Sequence, residues 1–259
     1  MITISMKALR FFLLMTIISV AVALPAGPAG AEEEEKPTAN ISVDILSQYI
    51  WRGYALSSDS AVIQPSFTGS YKGFSVNVWG NLDTHESRRV SNSDDASWNE
   101  TDLTLSYTRT ICGDLSGTVG YIYYATKHVD ETMEGYLGLS YALPWFTVGV
   151  TGYREFWHLP AWWIQFDISR NFKLPWYDMS VDTGLSIGYM DVSNTDYAEF
   201  HAGQLSAALN IPIGKFFTVS PKIGLAFPLS DAAGDNIRAG SADREETHVF
   251  GGLRLTAAF

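Results

Sequence analysis

The chain has 259 residues, of which 46% are hydrophobic, and its 17 Lys and Arg against 28 Asp and Glu give a formal net charge of −11. This acidic balance excludes nucleic acid as a partner, because phosphate backbones are bound by basic patches. The single cysteine, Cys112, excludes an internal disulfide, and without Cys/His clusters of zinc-site spacing the sequence predicts neither a metal nor a cofactor.

The N-terminus has the three parts of a secretory signal. Lys7 and Arg10 precede an apolar stretch over residues 11–24, and small residues follow it. The apolar stretch is shorter than the ~20 residues that a membrane-spanning helix needs. We therefore predict a cleaved signal peptide over residues 1–31, followed over residues 32–38 by an acidic disordered tail. The exported chain then has 17 − 2 = 15 basic and 28 acidic residues, a charge of −13.

Residues 39–259 alternate between apolar and polar side chains in about twelve segments of roughly 10 to 13 residues, the length of tilted strands that span a membrane. In the first segment, for example, Asp44 lies between two apolar neighbours. No segment has a convincing helical period. Pro65 and Pro221 each remove a backbone donor, so we expect bulges or local strand ends there. The sequence predicts an all-β fold, a closed antiparallel transmembrane β-barrel of about 12 strands over residues 39–259.

Alternation alone fits either a soluble barrel with an apolar core or a membrane barrel with an apolar outer face. Three features favour the membrane barrel. Tight turns alternate with long polar connections, of which the longest are 83–97, 191–200 and 229–246. Aromatic residues gather near segment ends, as they do at membrane interfaces. The polar face also carries charges that would be costly in a dry core. We therefore predict a barrel surrounded by lipid in the bacterial outer membrane.

The last segment, residues 248–259, is an alternating strand that ends on Phe259. It resembles the terminal signal by which bacterial outer-membrane barrels are recognised for assembly. The resemblance implies that the barrel-assembly machinery binds this strand and that Phe259 is part of the assembly signal.

Closure of the barrel predicts specific contacts between the first and last strands. Unpaired backbone groups are costly in lipid, so the strands must form a closed ring, and an even number of strands places both chain ends on one rim. With inward residues facing across the closing pair, Asp44 is expected near Arg254. The same register places Arg52 near Glu246 or His248.

The residues around the first three segments resemble a bacterial family. They read S-Q-Y-I-W-R-G-Y-A-L-S from Ser47, Q-P-S-F from Gln64 and G-F-S-V-N-V-W-G-N from Gly73. Over about the first third of the chain this spacing resembles Gcw_chp, a family of conserved proteins of unknown function, although Phe74 stands where that family commonly has Tyr. The resemblance implies a secreted, outer-membrane barrel with no assigned substrate or catalytic residues.

A barrel of about twelve strands is wider than the eight that side chains fill and narrower than the sixteen to eighteen of general porins. We therefore expect a narrow channel for passive passage of small polar solutes or ions, with cations or neutral solutes favoured by the acidic lumen. The alternative is a non-conducting structural or surface-interaction protein. In the structural protein the lumen residues pair with one another and block the passage, and in the surface-interaction protein the long loops 83–97 and 229–246 bind another molecule. The predicted pore-lining residues are Asp44, Gln48, Arg52, Asn77, Asn81, Asp102, Glu134, Asp167, Asp182, Lys222 and Arg254.

Arg52 lies at the predicted outer mouth, and Gly53 permits the turn into the first loop. Two roles fit Arg52. It is either a constriction that contacts the solute or a structural clamp on loop carboxylates such as Asp59.

The sequence predicts no enzyme. A remote alternative is an outer-membrane lipid hydrolase with a His-x-Ser pair, and here the only such pair is His85 with Ser87. By strand parity His85 faces inward, and no Asn-Gly follows Ser87. The other histidines lack metal-ligand spacing and are expected to be solvated on outer loops or upper strand ends; they are His128, His158, His201 and His248.

Overall fold

Backbone hydrogen bonds join the predicted alternating segments into one sheet. The computed structural model describes residues 36–86, 95–127, 129–158 and 160–259, and the predicted signal peptide lies outside these residues. The strands are β1 (Thr38–Leu46), β2 (Ile50–Trp51), β3 (Tyr54–Ala55), β4 (Val62–Tyr71), β5 (Phe74–Asp83), β6 (Ser97–Cys112), β7 (Leu115–Thr126), β8 (Thr132–Ala142), β9 (Thr147–Glu155), β10 (Ala161–Lys173), β11 (Ser180–Val192), β12 (Ala198–Ile213), β13 (Phe217–Pro228) and β14 (His248–Ala258). One helix, α1 (Asp231–Gly240), precedes β14.

Within the described residues, twelve strands close into a ring. Strands β4 to β14 follow one another in chain order, and β1 completes the ring between β14 and β4, with every neighbouring pair antiparallel. The short strands β2 and β3 pair only with each other. Because closure leaves no strand edge unpaired, the barrel can lie in lipid. The predicted closed barrel of about 12 strands is confirmed.

The closing pair of strands has the predicted register. Asp44 lies opposite Arg254, and its carboxylate accepts a hydrogen bond from Arg254 Nη2 at 2.7 Å. At the same rim as the start of β1, Phe259 exchanges two backbone hydrogen bonds with Ala39 and stacks on Phe216 with ring centroids 5.6 Å apart. The expected proximity of the two ends of the barrel chain is therefore confirmed.

The outer face of the barrel is apolar. Ile45 is 43% exposed, Phe67 47% and Leu137 64%, whereas Asp44 on the opposite face of β1 is 4% exposed. A continuous belt of exposed large apolar side chains is stable against lipid and not against water. The outward orientation of the apolar face decides between the two interpretations of the alternation, and the barrel is a membrane barrel.

The connections at the two rims differ in length. Five connections of two to six residues lie at one rim, which we call the turn end, and six connections of five to nineteen residues lie at the other, which we call the loop end. Within the part of the chain that the structure describes, loop 1 (residues 47–61) and loop 6 (residues 229–247) are the connections that carry secondary structure of their own. Among the described residues, no helix is long and apolar enough to cross a membrane.

The expectation that the chain has no helix is wrong for loop 6. The Ser230 hydroxyl accepts a hydrogen bond from the Ala233 backbone N–H at 3.1 Å and caps α1. Asp231 lies in the first turn and Arg238 in the last, as the helix dipole favours. Ala233 and Ile237, one helical turn apart, are fully buried. A ten-residue helix forms here because this small apolar face packs into the barrel mouth.

The strand prolines interrupt the hydrogen-bond ladder on one side only. Pro65 pairs with Val43 of β1 and has no partner on β5, and Pro221 pairs with Leu253 of β14 and has no partner on β12. Each strand continues through its proline, so the expected strand ends and bulges at these positions are wrong. The bulges lie instead at 81/82, 110/112 and 188/189.

Candidate functional site

Loop 1 folds back on itself as a small hairpin. Ile50 and Trp51 pair with Ala55 and Tyr54, and the two residues between them both have positive φ, 50° for Arg52 and 93° for Gly53. Such a turn has the left-handed backbone that two-residue hairpins prefer. The hairpin therefore presents the Arg52 side chain at a tightly defined tip.

The hairpin tip lies against the barrel wall and the loop 6 helix. A Cβ atom on Gly53 would lie 2.8 Å from Ala202 Cβ and 3.0 Å from Ile237 Cδ1. Ala202 is 7% exposed and Ile237 is fully buried. Gly53 is thus required both by its positive φ and by this close approach.

Arg52 crosses the lumen to the far wall of the barrel. Its two terminal nitrogens each lie 2.7 Å from a carboxylate oxygen of Glu134 on β8. Loop 1 enters β4, and three strands of the ring, β5, β6 and β7, lie between β4 and β8. The side chains of Arg52 and Glu134 are 13% and 4% exposed, respectively. The predicted positions of Arg52, near Glu246 or His248 or as a clamp on Asp59, are wrong. The tip turns into the lumen instead of continuing along the closing strands.

Loop 1 and α1 bind each other and together occlude the loop end. The Ala55 backbone N–H donates to Ser241 Oγ at 3.1 Å, and the Tyr54 hydroxyl donates to the Asn236 side chain. Gln48, predicted to line the pore, instead donates from Nε2 to Asp243 Oδ2 at 2.5 Å. We call residues 47–61 together with α1 the plug.

Residues that pair across neighbouring strands lie on the same face of the sheet, so the register from Asp44 identifies the inward residues of all twelve strands. These inward residues are buried at the loop end. Asn81 is fully buried there and joins the side-chain amides of Gln64 and Asn99 by hydrogen bonds of 3.0 and 2.7 Å. Asp102 also faces inward, and its Oδ1 is buried without a hydrogen-bond partner in the part of the chain that the structure describes. The lumen at the loop end is therefore filled by polar side chains of the barrel strands.

Tyr49 of the plug contributes a neutral donor to this region. Burial raises the pKa of the Tyr49 phenol well above its ordinary value, and the carboxylates of Glu100 and Asp102 raise it further. The ring packs on Trp79 with centroids 5.5 Å apart. Tyr49 therefore stays protonated beside the acids of the inner wall.

The inward face at the turn end is small, hydroxylated and in contact with solvent. Asn77 donates to Ser66 and Thr68, both at 2.8 Å, and Ser70 donates to Ser75 at 3.1 Å. The residues of this face are partly exposed, in contrast to those at the loop end. We call the space they surround the turn-end chamber, and its wall includes Ser66, Thr68, Ser70, Ser75, Asn77, Thr104, Ser106, Thr118, Ser180, Ser186, Asn210, Thr218 and Thr256.

The inward face of the barrel carries two groups of the predicted lumen charges, of which the first contains the buried Asp44. Asp44 joins Arg254, with Nε and Nη2 at 3.0 and 2.7 Å, to Lys222, with Nζ at 3.1 Å. Among the described residues, Asp182 accepts hydrogen bonds from two neutral amides, those of Asn171 at 2.6 Å and Asn210 at 2.7 Å.

Asp167 accepts a hydrogen bond from Gln165 at 2.9 Å on the same inward face. The structure thus brings Arg52 together with Glu134, and Asp44 with Lys222 and Arg254. That these residues line an open pathway stays a prediction.

The histidines differ from the expectation of solvated side chains. His201 is fully buried beside the Tyr197 hydroxyl, and His248 is 3% exposed with Nδ1 3.2 Å from Asp243. Solvation is therefore wrong for these two, because α1 and the plug cover them. His158 and His85 are exposed, and the inward position expected for His85 stays a prediction. His128 and Ser87 lie outside the described residues. In the described ranges no group of three or more His, Cys, Asp or Glu could hold a metal ion.

The barrel resembles solved porins in its fold. The KdgM porin, solved in complex with disordered oligogalacturonate, matches with a TM-score of 0.53 and 8% identity over 86% of this chain and 99% of its own. The NanC porin matches with a TM-score of 0.54 and 9% identity over 85% of this chain and 98% of its own. No family model and no curated protein matches the sequence. The class that the fold defines is the outer-membrane β-barrel.

Proposed function

We propose that the barrel is a narrow outer-membrane channel for passive passage of small polar solutes or ions. The observation that carries the proposal is the turn-end chamber, whose wall of hydroxyl and amide side chains is partly exposed to solvent inside a twelve-stranded ring. Twelve strands enclose more space than inward side chains of this size fill. A watery interior also explains why inward charges such as Asp182 are tolerated.

The proposed path runs from the turn end, at the periplasmic side, past the plug to the loop end, at the cell exterior. Short periplasmic turns and long external loops are the rule for such barrels. Because loop 1 and α1 occlude the external mouth, conduction requires movement of the plug. The inward acids favour cations or neutral polar solutes over anions.

Accessibility during conduction tests the path. Ser75 faces the chamber and its neighbour Val76 is 44% exposed on the lipid face. In a Cys112→Ser background, a charged thiol reagent added to a planar bilayer is expected to change the current of Ser75→Cys and to leave Val76→Cys unchanged. Equal responses of the two variants, or a refolded barrel that never conducts, would count against the channel.

A non-conducting structural or surface-interaction protein is the second candidate, and the plug is the observation that favours it. The packing of Gly53 against Ala202 and Ile237 leaves no free space at the tip. Absence of current in both the natural chain and in plug variants, together with loss of a binding partner on deletion of loop residues, would support this candidate.

We further propose that the chain is a member of the Gcw_chp family, that its final strand binds the barrel-assembly machinery, and that it is not an enzyme. The stretch S-Q-Y-I-W-R-G from Ser47, through which the chain resembles that family, supports family membership. Three of its residues, Tyr49, Arg52 and Gly53, belong to the plug. The lipid-hydrolase alternative depends on Ser87. Lipid turnover by the pure protein that Ser87→Ala abolishes would restore that alternative.

A further inference from the structure

Arg52 occupies a set of side chains that suits a guanidinium group. Glu134 binds both terminal nitrogens in a bidentate pair at 2.7 Å. The Arg52 Cζ lies 5.1 Å from the centroid of the Tyr153 ring and 5.2 Å from that of Trp163, distances at which aromatic faces attract cations. We call Glu134, Tyr124, Tyr153 and Trp163 the guanidinium nest.

The four residues of the nest lie on the barrel strands, and loop 1 packs on them from above. Trp51 meets Tyr124 edge-on with ring centroids 6.4 Å apart, and Tyr54 packs on the cluster that contains Trp163. Tyr124 donates its hydroxyl to Glu134 Oε2 at 2.9 Å and so orients the carboxylate. Trp163 lies flat on Gly188, where an added Cβ would be 2.0 Å from the indole ring, and its Nε1 donates to Gln165 at 3.1 Å. We expect these contacts to hold Glu134 and Trp163 in place when Arg52 leaves.

Two further acids of the inner wall lie beside the nest. Glu134 lies directly opposite Glu155 on β9, which is 6% exposed and whose Oε2 has no hydrogen-bond partner among the described residues. Asp102, with its own buried and unpartnered Oδ1, is the cross-strand neighbour of Tyr124. A ligand for the nest must therefore be a cation, and the pairing of Glu134 with a planar fork favours guanidinium over ammonium.

Arg52 is held there as a tethered ligand. It sits at the tip of a two-residue turn with φ of 50°, a backbone region that disfavours side chains with a Cβ. Its place on a loop, not on the wall, allows it to leave while the barrel stays intact.

We infer that the guanidinium nest is a binding site for small guanidinium-type cations, and that Arg52 is the internal competitor that fills it while the plug is closed. A free cation of this chemistry displaces Arg52, and loop 1 then moves out of the external mouth. The binding site stands on the nest alone, whereas opening by displacement rests on the proposed channel function.

Refilling of the vacated nest tests the inference in the full barrel, folded in detergent. Arg52→Gly removes the guanidinium and suits the positive φ. We expect millimolar guanidinium chloride, far below denaturing concentrations, to raise the melting temperature of this variant by about 2–4 °C. The same concentration of tetramethylammonium chloride, which cannot form the bidentate pair, should have no effect. Arg52→Asn, which tolerates the same backbone, serves if the glycine variant folds poorly.

Two variants control the measurement. Arg244→Gly replaces another positive-φ arginine, with φ of 64°, whose side chain contacts the Ala239 carbonyl and no nest residue, and it should show no guanidinium-dependent shift. Arg52→Gly/Glu134→Gln should also lose the shift. Absence of a shift in Arg52→Gly, or an equal shift in the double variant, would overturn the site.

Bilayer recordings separate this site from the channel. We expect Arg52→Gly to conduct more than the natural chain and guanidinium to reduce that current at least several-fold more than tetramethylammonium does. A melting shift without any current keeps the site and rejects the channel. Current that guanidinium does not change, with no melting shift, keeps the channel and rejects the site.

Discussion

The two halves of the lumen are built on the same strands and yet have opposite character. At the loop end the inward residues are large or charged and buried, as Glu134 and Trp163 show. At the turn end they are Ser, Thr and Asn in contact with solvent. The comparison teaches that period-two alternation decides which side chains point inward, whereas residue size and the loops decide whether that interior is wet or sealed.

The electrostatics of the two halves differ for the same reason. A carboxylate sealed from water at the loop end needs a close partner, because an uncompensated buried charge is costly. Glu134 has Arg52 and Tyr124. At the turn end, Asp182 is exposed to solvent, and neutral amides are enough to donate hydrogen bonds to it.

The largest expected effect comes from removing the loop-end carboxylate. Glu134→Gln leaves Arg52 without its counter-charge in the sealed half, and we expect the free energy of unfolding to fall by about 3 kcal/mol. Urea titration of the refolded barrel measures the change. The matched control is Asp235→Asn, whose side chain is 81% exposed beside Arg238 and which should change stability by less than about 0.5 kcal/mol. Similar losses in both variants would mean that the sealed half is not electrostatically special.

The next effect separates plug packing from backbone strain. Gly53→Ala places a Cβ at a φ of 93° and 2.8 Å from Ala202 Cβ. The hairpin tip then cannot pack against the barrel wall. Gly214→Ala in a short turn imposes a similar φ of 67° with no atom within 4 Å. We expect losses of about 2 and about 1 kcal/mol, respectively, and raised conductance only for Gly53→Ala. Raised conductance in both would show that the plug does not control the mouth.

Much of the barrel could be predicted from the sequence, because lipid outside and water inside impose a strict alternation on every strand. The pairing of Asp44 with Arg254 followed from closure alone. The contact of Arg52 with Glu134 could not be predicted, since it joins a loop to a strand across the lumen and no ladder register relates them.

Helix α1 left a weak signal that alternation does not detect. Ser230 before an acidic first turn, with Ala233 and Ile237 spaced by four residues, is a short amphipathic pattern within a polar loop. Ten residues of this kind are marginal as an isolated helix, so only the barrel mouth stabilises them. The same tertiary packing buries His201 and His248.

A smaller effect, on selectivity, sharpens the comparison between the buried Asp44 and the exposed Asp182. Asp44→Asn leaves Arg254 and Lys222 without their shared carboxylate, and we expect the ratio of cation to anion permeability to fall several-fold. The reversal potential in a salt gradient measures this ratio. Asp182→Asn, which removes a carboxylate held by amides, should lower the ratio less. The reverse order would mean that the Asp44 group does not face the conducting path.

The smallest effect on stability is expected at the rim of the turn end. Phe259→Ala removes the stacked pair with Phe216 and should cost about 1 kcal/mol in the refolded barrel. Tyr177→Ala, at a side chain that is 89% exposed, should cost less than about 0.5 kcal/mol. If Phe259 is also part of the assembly signal, we expect the amount of Phe259→Ala protein in outer membranes to fall far more than the loss of about 1 kcal/mol in stability explains. Depletion equal to that of Tyr177→Ala would contradict the signal.

The plug draws its two parts from opposite ends of the barrel sequence, loop 1 after β1 and α1 just before β14. Its internal contacts, such as that of Ala55 with Ser241, form only once loop 6, the last loop-end connection in the chain, lies at the external mouth. During biogenesis the external mouth is therefore sealed last. A barrel arrested before ring closure would leak, and its permeability would report the order in which the strands are laid down.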